Sequence, residues 1–325
     1  MAQCIYILFC SILIVFLYSV TGSDWSYDTN AINGPHSWNT LGGTDCSGDR
    51  QSPIDLRASL GQQRPYDQSE LTFHKYDKEI PGLELSNNGH TAKVSIPDDV
   101  DLTITDLTFT NADGDEDAGV FYRLAQVHFH WSQNDSTGSE HAIEGKKYPM
   151  EAHFVHTYKG YPVPEALKIK NNGLAVVGVM FEVSPTNTAH EELEKVLIKQ
   201  LVEVRNKDAK TPLSLSAQLD LLMPMDRRKY YRYEGSLTTP PCTENVIWTV
   251  LQNPSVMSQT QLDTLRRTLH KNSRGEARVL NNVRPLQTLH SRVVTHYSPD
   301  FTSAGYAVQS SISILLVTLV MIVIG

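Results

Sequence analysis

Two histidines, His128 and His130, lie two residues apart in the run Gln126-Val127-His128-Phe129-His130-Trp131. In a β-strand, side chains at i and i+2 share a face. Both imidazoles therefore project together, while Phe129 and Trp131 point the other way into a core. Two imidazoles on one rigid face are adjacent ligands for a cation of the Zn2+ type. Such pairs also occur in strands without metal, so a third ligand decides the matter. Catalytic zinc sites take three protein ligands and keep one position open. The best third candidate is His153, in the strand-like run Met150-Glu151-Ala152-His153-Phe154-Val155-His156. Two further stretches carry chemistry. Gly235-Ser236-Leu237-Thr238-Thr239-Pro240-Pro241-Cys242 is a stiff, proline-ended loop able to fix a hydroxyl, and Ser86-Asn87-Asn88-Gly89-His90 is a turn bearing an exposed histidine.

The elements that must position these groups are mostly strands. From Leu71 onward, short alternating runs are separated by turn signals. Leu83–Leu85, Ala92–Ile96, Leu102–Ile104 and Leu107–Phe109 are examples, with Asn87-Asn88-Gly89 as a turn between the first two. Regular short strands of this kind predict a large, mostly antiparallel, twisted sheet. The run Leu174–Val183 is almost continuously apolar, as a strand buried on both faces should be. Helical spacing appears over His190–Val204 and over Ser258–His270, the second opening on a serine cap. Residues 23–60 form a loop-rich arm whose Trp25, Tyr27 and Trp38 pack it onto the body, and Asp113–Asp117 reads as a solvated acidic turn. Nothing marks a domain boundary, so the expectation is one mainly β domain with short peripheral helices.

Composition is ordinary for a globular chain of 325 residues, with 40% hydrophobic and 20% charged residues. A net charge of -8 argues against nucleic acid as a partner, because phosphate binding needs basic patches. The ends point to the secretory route. The apolar run Ile5–Tyr18, followed by Val20 and Gly22 at cleavage-site spacing, reads as a signal peptide over residues 1–22, with a signal anchor as the alternative. At the other end, Ser303-Ala304-Gly305, an uncharged spacer and an apolar tail make a GPI-attachment signal. Ser303 is the expected anchor residue and residues 304–325 the discarded tail; a short membrane-embedded helix is the alternative. Of four cysteines, Cys4 and Cys10 fall in the leader, which leaves Cys46 and Cys242 as a disulfide in an oxidising compartment. Asn134-Asp135-Ser136 is a glycosylation sequon.

Taken together, these motifs resemble the animal α-class carbonic anhydrases. The matching text runs in order: Asn33-Gly34-Pro35, Gln51-Ser52-Pro53-Ile54, Asn87-Asn88-Gly89-His90, Gln126 to Trp131, Gly138-Ser139-Glu140-His141, Glu151 to His156, Ser236 to Pro241, and Asn282-Val283-Arg284-Pro285. It covers about residues 24–290, and the cysteine pair with the GPI-type tail is similar to the membrane-anchored extracellular branch.

The resemblance implies one catalytic Zn2+ on His128, His130 and His153. Held by three neutral imidazoles, the dication would ionise water at neutral pH, and the hydroxide would attack CO2 to give bicarbonate. Thr238 would accept the hydroxide proton and donate its own to Glu140, while Thr239 helps place bicarbonate. Val155, Val176, Leu237, Val246 and Trp248 would form the dry wall for CO2. Gln126, Glu151 and the carbonyl of Asn282 would bond the outer nitrogens of the ligands, and His141 would be structural, bonded to Glu151 and Tyr233. His90 would carry the proton to bulk, helped by water ordered by Tyr27 and Asn88. The resemblance also implies cis bonds at Ser52-Pro53 and Pro240-Pro241. A monomer is expected at the outer face of the plasma membrane, held by its lipid anchor, with bicarbonate transporters as candidate partners. Two positions depart from the family pattern: Lys93 brings a cation to the cavity, and Thr243 replaces an apolar rim residue.

Overall fold

The computed structural model describes residues 24–66, 71–106, 120–213 and 216–301. The leader, the 107–109 strand, the acidic run at 113–117, Ser303 and the tail lie outside the described residues. Among the described residues, no helix is long and apolar enough to cross a membrane.

One sheet organises the chain. Across it the strands follow the order Lys210–Pro212, Glu84–Asn87, Ala92–Ser95, Phe121–Trp131, Met150–Tyr158, Leu174–Val183, Val246–Leu251, Tyr230–Gly235, Thr295–Ser298 and Gln62–Pro65. Most pairings are antiparallel, but the sheet is mixed. Leu174–Val183 runs parallel to Val246–Leu251 and to Ser255–Met257, and Thr295–Ser298 runs parallel to Gln62–Pro65. Parallel neighbours suit a strand covered on both sides, and Leu174 to Phe181 are all buried.

The sheet separates two apolar clusters. Val127, Phe129 and Trp131 enter the larger one, beneath the helices. Val155, Val176, Val246 and Trp248 enter the other, on the cleft side. Helix Gln259–Thr268 starts where its serine predicts. Ser258 Oγ accepts the Gln261 N–H and Gln261 Oε1 accepts the Ser258 N–H, both at 3.1 Å, a reciprocal cap. The other helix is shorter than its spacing suggests. Glu191–Val196 is α-helical, Leu197 leaves helical geometry, and Ile198–Gln200 is a 3-10 turn. Residues three apart eclipse in a 3-10 turn, which places Ile198 above Leu201 on the buried side.

The arm is pinned by the Cys46–Cys242 disulfide, with Cα atoms 4.9 Å apart, and by the Asp45 N–H bonded to Pro241 O at 2.8 Å. Cys242 itself sits at φ 57°, a left-handed conformation that non-glycine residues seldom adopt. Its N–H bonds Thr239 O at 2.8 Å, so the loop carrying Thr238 and Thr239 is closed on both sides. The peptide bonds before Pro53 and Pro241 are cis.

A buried histidine in the large core makes the fold acid-sensitive. His156 donates from Nδ1 to Ala175 O at 3.0 Å and bonds Tyr76 Oη through Nε2. Burial lowers its pKa from 6.5 to about 4. A group depressed on folding stabilises fully above its unfolded value and loses that contribution as pH falls toward the folded one. We therefore expect roughly 3 kcal/mol of stability to disappear between about pH 6.5 and pH 4. Urea unfolding of His156→Gln should show a shallower pH dependence in that window, and an unchanged slope would rule the assignment out.

Candidate metal centre

The histidines owe their placement to a break in phase. Along Phe121–Trp131, Tyr122 and Leu124 face the large core, and so do Val127, Phe129 and Trp131. Even positions give way to odd ones across Ala125, where the register against Met150–Tyr158 slips between Leu124 and Gln126. Without that bulge the alternation would turn Gln126, His128 and His130 into the core. With it they line the cleft.

Neighbouring strands complete the rows. His128 stands opposite His153, which stands opposite Gly178; Gln126 stands opposite Val155, then Val176, then Trp248; His130 stands opposite Glu151. Cross-strand partners share a face, so ligands and apolar wall lie side by side. The Trp248 ring is 4.8 Å from that of His153. Leu237 packs against the same cluster. Gly178 makes room, since a Cβ there would lie 3.1 Å from Glu151 Oε1.

Each imidazole has one nitrogen engaged. His128 Nδ1 donates to Gln126 Oε1 at 3.0 Å, His130 Nδ1 to Asn282 O at 2.8 Å, and His153 Nε2 to Glu151 Oε1 at 2.7 Å. An oxygen acceptor on one nitrogen fixes the proton there and leaves a lone pair on the other. One ligand nitrogen from each of the three residues lies within 4.8 Å of the others. Burial, with the neighbouring imidazoles, holds His128 well below the usual histidine range, and burial also lowers His130. His128 and His130 are therefore built to stay neutral, as metal ligands must be.

Two buried atoms here have no hydrogen-bond partner, His130 Nε2 and Glu140 Oε2, and they face each other at 3.4 Å. Both are electron-rich, and buried polar atoms left unpaired are costly. A cation at the focus of the three nitrogens would compensate both. Three imidazole nitrogens converging on one point are the protein donor set of a catalytic zinc site, so the residues fit that metal. A second cluster, His141, Glu151 and His153, is already satisfied internally. Glu151 Oε1 accepts from His141 and His153 at 2.7 Å, and Oε2 accepts the Glu140 and His141 N–H groups at 2.8 Å. Burial opposes ionisation of Glu151, yet the facing His141 and His153 imidazoles hold it well below the carboxylate range. His141 Nε2 pairs with Tyr233 Oη at 2.6 Å.

Thr238 is buried in its loop, but its expected bond to Glu140 is not made. Glu140 Oε1 takes the Arg284 N–H at 2.8 Å, and Oε2 turns to His130 instead. Asn88 spends its Oδ1 on the His90 and Thr91 N–H groups, both at 2.9 Å, so that oxygen shapes the turn. His90 stacks on Trp25, ring centroids 3.8 Å apart and planes within 11°. Tyr27 meets it edge-on at 6.3 Å. Burial in this stack, with Lys207 nearby, lowers the His90 pKa to about 4. A near-neutral relay therefore requires the ring to leave Trp25. Lys93 stands directly across from His128, on the cleft face.

The family model of eukaryotic-type carbonic anhydrases matches residues 33–298. The chain belongs to this family. It is 36% identical to putative carbonic anhydrase 5 of Caenorhabditis elegans over 91% of the chain and 90% of that protein. It is 34% identical to carbonic anhydrase 6 of Mus musculus over 86% and 83%, and 33% identical to carbonic anhydrase 12 of Homo sapiens over 91% and 80%. As a carbonic anhydrase family member it is an enzyme whose site has to account for CO2 hydration. Two groups that bear on that chemistry are not singled out by the sequence. Trp25 reads there only as an aromatic packing the arm, because nothing local tells which ring it will stack on. Arg284 acts on Glu140 through its backbone N–H, which carries no side-chain signature.

Proposed function

We propose that this enzyme hydrates CO2 reversibly at a zinc ion held by His128, His130 and His153, on the outer surface of a cell. The observation that carries the reading is the set of three imidazoles whose ligand atoms lie within 4.8 Å of one another beside an apolar wall. A zinc ion bound there would supply Lewis acidity, making water nucleophilic at neutral pH. The rest falls to the chain. Gln126, Asn282 and Glu151 hold the ligand rings in the metal-binding tautomer. Val155, Val176, Leu237, Val246 and Trp248 keep the CO2 side dry. Glu140, anchored by the Arg284 N–H, accepts a hydrogen bond from the Thr238 hydroxyl in the working site and so orients it. Thr239 positions bicarbonate at the same loop.

His90 moves the proton outward after leaving the Trp25 stack, with Tyr27 and Asn88 bordering its path. We expect His90→Ala to lower CO2 hydration about 10-fold or more in weak buffer, as loss of a general-base relay does, with recovery on adding imidazole. Stopped-flow measurement with no loss of rate would remove this role.

The same reading makes residues 1–22 a leader, residues 23–303 the mature domain, and 304–325 a tail exchanged for glycolipid at Ser303, with a glycan on Asn134 and a monomeric state. The Cys46–Cys242 disulfide supports an oxidising compartment. Bicarbonate transporters in the same membrane are candidate partners. Release of activity from intact cells by a phosphatidylinositol-specific phospholipase C tests the anchor; activity that stays with the membrane contradicts it.

A further inference from the structure

Beside His90 lies a cavity of about 300 Å3, lined among others by Asp24, Trp25, Asn33, Lys207 and Lys271. The fold assembles it from four separate segments: the arm, the turn at His90, and the stretches carrying Lys207 and Lys271. Asn87 Nδ2 donates to both Arg205 O and His270 O at 3.1 Å, tying the segment before Lys207 to the one before Lys271. The His270 N–H bonds Arg205 O at 2.7 Å and the Lys207 N–H bonds Asn272 O at 3.3 Å. The turn carrying His90 is packed against both. Gly89 sits at φ 86°, and a Cβ there would lie 2.8 Å from Lys207 Cδ and 2.9 Å from Lys271 O. Only glycine permits that approach.

The charges are unbalanced. Among the described residues neither Lys207 nor Lys271 takes part in an ion pair, whereas many surface lysines of this protein do, Lys75, Lys195 and Lys229 among them. Asp24 is the acidic group that lines the cavity, against two ammonium groups. Tyr27, the other titratable neighbour, is buried, and burial raises its pKa, so it stays neutral. Lys207 and Lys271 both oppose a positive charge on His90, and Asp24 favours one.

We propose that this cavity docks a divalent oxyanion, hydrogen phosphate in the simplest case, as the proton acceptor for His90. The proposal rests on the relay role given to His90 above. In the transfer the imidazolium N–H bond breaks and an O–H bond forms on the anion. Imidazolium becomes neutral imidazole and hydrogen phosphate becomes dihydrogen phosphate, so charge and atoms balance. The product carries one negative charge fewer, is held less tightly by the two lysines, and leaves. A docked dianion also offsets the two ammonium groups while His90 carries its proton.

The test titrates inorganic phosphate into the full chain at constant ionic strength and follows the His90 ring signals by NMR. The expected result is a saturable shift whose half-saturation rises roughly tenfold in the Lys207→Gln, Lys271→Gln double variant, the size two partly screened charge contacts give. Stopped-flow CO2 hydration then compares phosphate with a neutral imidazole buffer. The ratio of their half-saturating concentrations should rise by the same factor in the double variant. Absence of a saturable shift, an identical curve in the variant, or an unchanged ratio overturns the proposal. No CO2 hydration in any buffer overturns the underlying reading instead.

Discussion

Replacing His130 with alanine is expected to leave the chain folded, empty of zinc and inactive. Of the three proposed ligands, His130 is the one whose free nitrogen is buried without any partner, and it faces the unpaired oxygen of Glu140 at 3.4 Å. Two imidazoles, His128 and His153, remain after the change. Loss of a mere supporting group around a metal costs about 10- to 100-fold; loss of a ligand should exceed that, beyond roughly 10³-fold in CO2 hydration. The fold should tolerate the change better. The substitution releases an unpaired nitrogen, and its direct structural cost is the Asn282 carbonyl, which loses the His130 N–H at 2.8 Å. Elemental analysis of the purified variant, with circular dichroism to confirm folding, checks this. A variant that keeps one zinc per chain would mean the three histidines are not the ligand set.

Glu151→Gln should be nearly as damaging, by a different route. The carboxylate is fully buried and accepts four hydrogen bonds, from two imidazoles and two backbone N–H groups. A carboxylate accepts at both oxygens; an amide accepts at one and donates at the other. The introduced amide would therefore turn its donor either toward two backbone N–H groups or toward two imidazole donors. Breaking such a buried charged network costs roughly 3–5 kcal/mol. In the second orientation His153 would also lose the acceptor that fixes its tautomer, so zinc affinity should fall about 10- to 100-fold. Acid has a similar effect on the parent protein. Glu151 is held below the carboxylate range in the fold, so its stabilisation is complete above the ordinary carboxylate pKa and is lost as pH falls below it. Denaturant unfolding and competitive zinc titration check both effects. Parental stability and affinity in the variant would show that Glu151 is dispensable.

Both predictions concern residues that the chain displays openly. A His-x-His pair on an alternating strand and a Glu-x-His on the next strand announce themselves, because the strand period is two and the two pairs sit at hairpin distance. Ser258 likewise announces its helix through local cap chemistry. Legibility fails where long-range partners decide. Periodicity identifies Leu174–Val183 as a doubly buried strand but cannot say that it pairs parallel with Val246–Leu251, since that choice depends on chain far away. The slip at Ala125 is visible as a phase change between Leu124 and Val127, yet only the facing strand shows which face each half takes. At Leu197, helical spacing persists through a break in geometry because a 3-10 turn buries nearly the same side chains. The Trp25 stack on His90 joins an arm to a turn that sequence alone leaves unrelated.

The central claim is that CO2 hydration depends on one zinc ion at His128, His130 and His153. The most direct test strips the purified protein with a chelator and returns zinc stepwise while CO2 hydration is followed. Activity should vanish on stripping and return linearly to a plateau at one zinc per chain. Activity that survives stripping, or a fully zinc-loaded protein that hydrates no CO2, would contradict it.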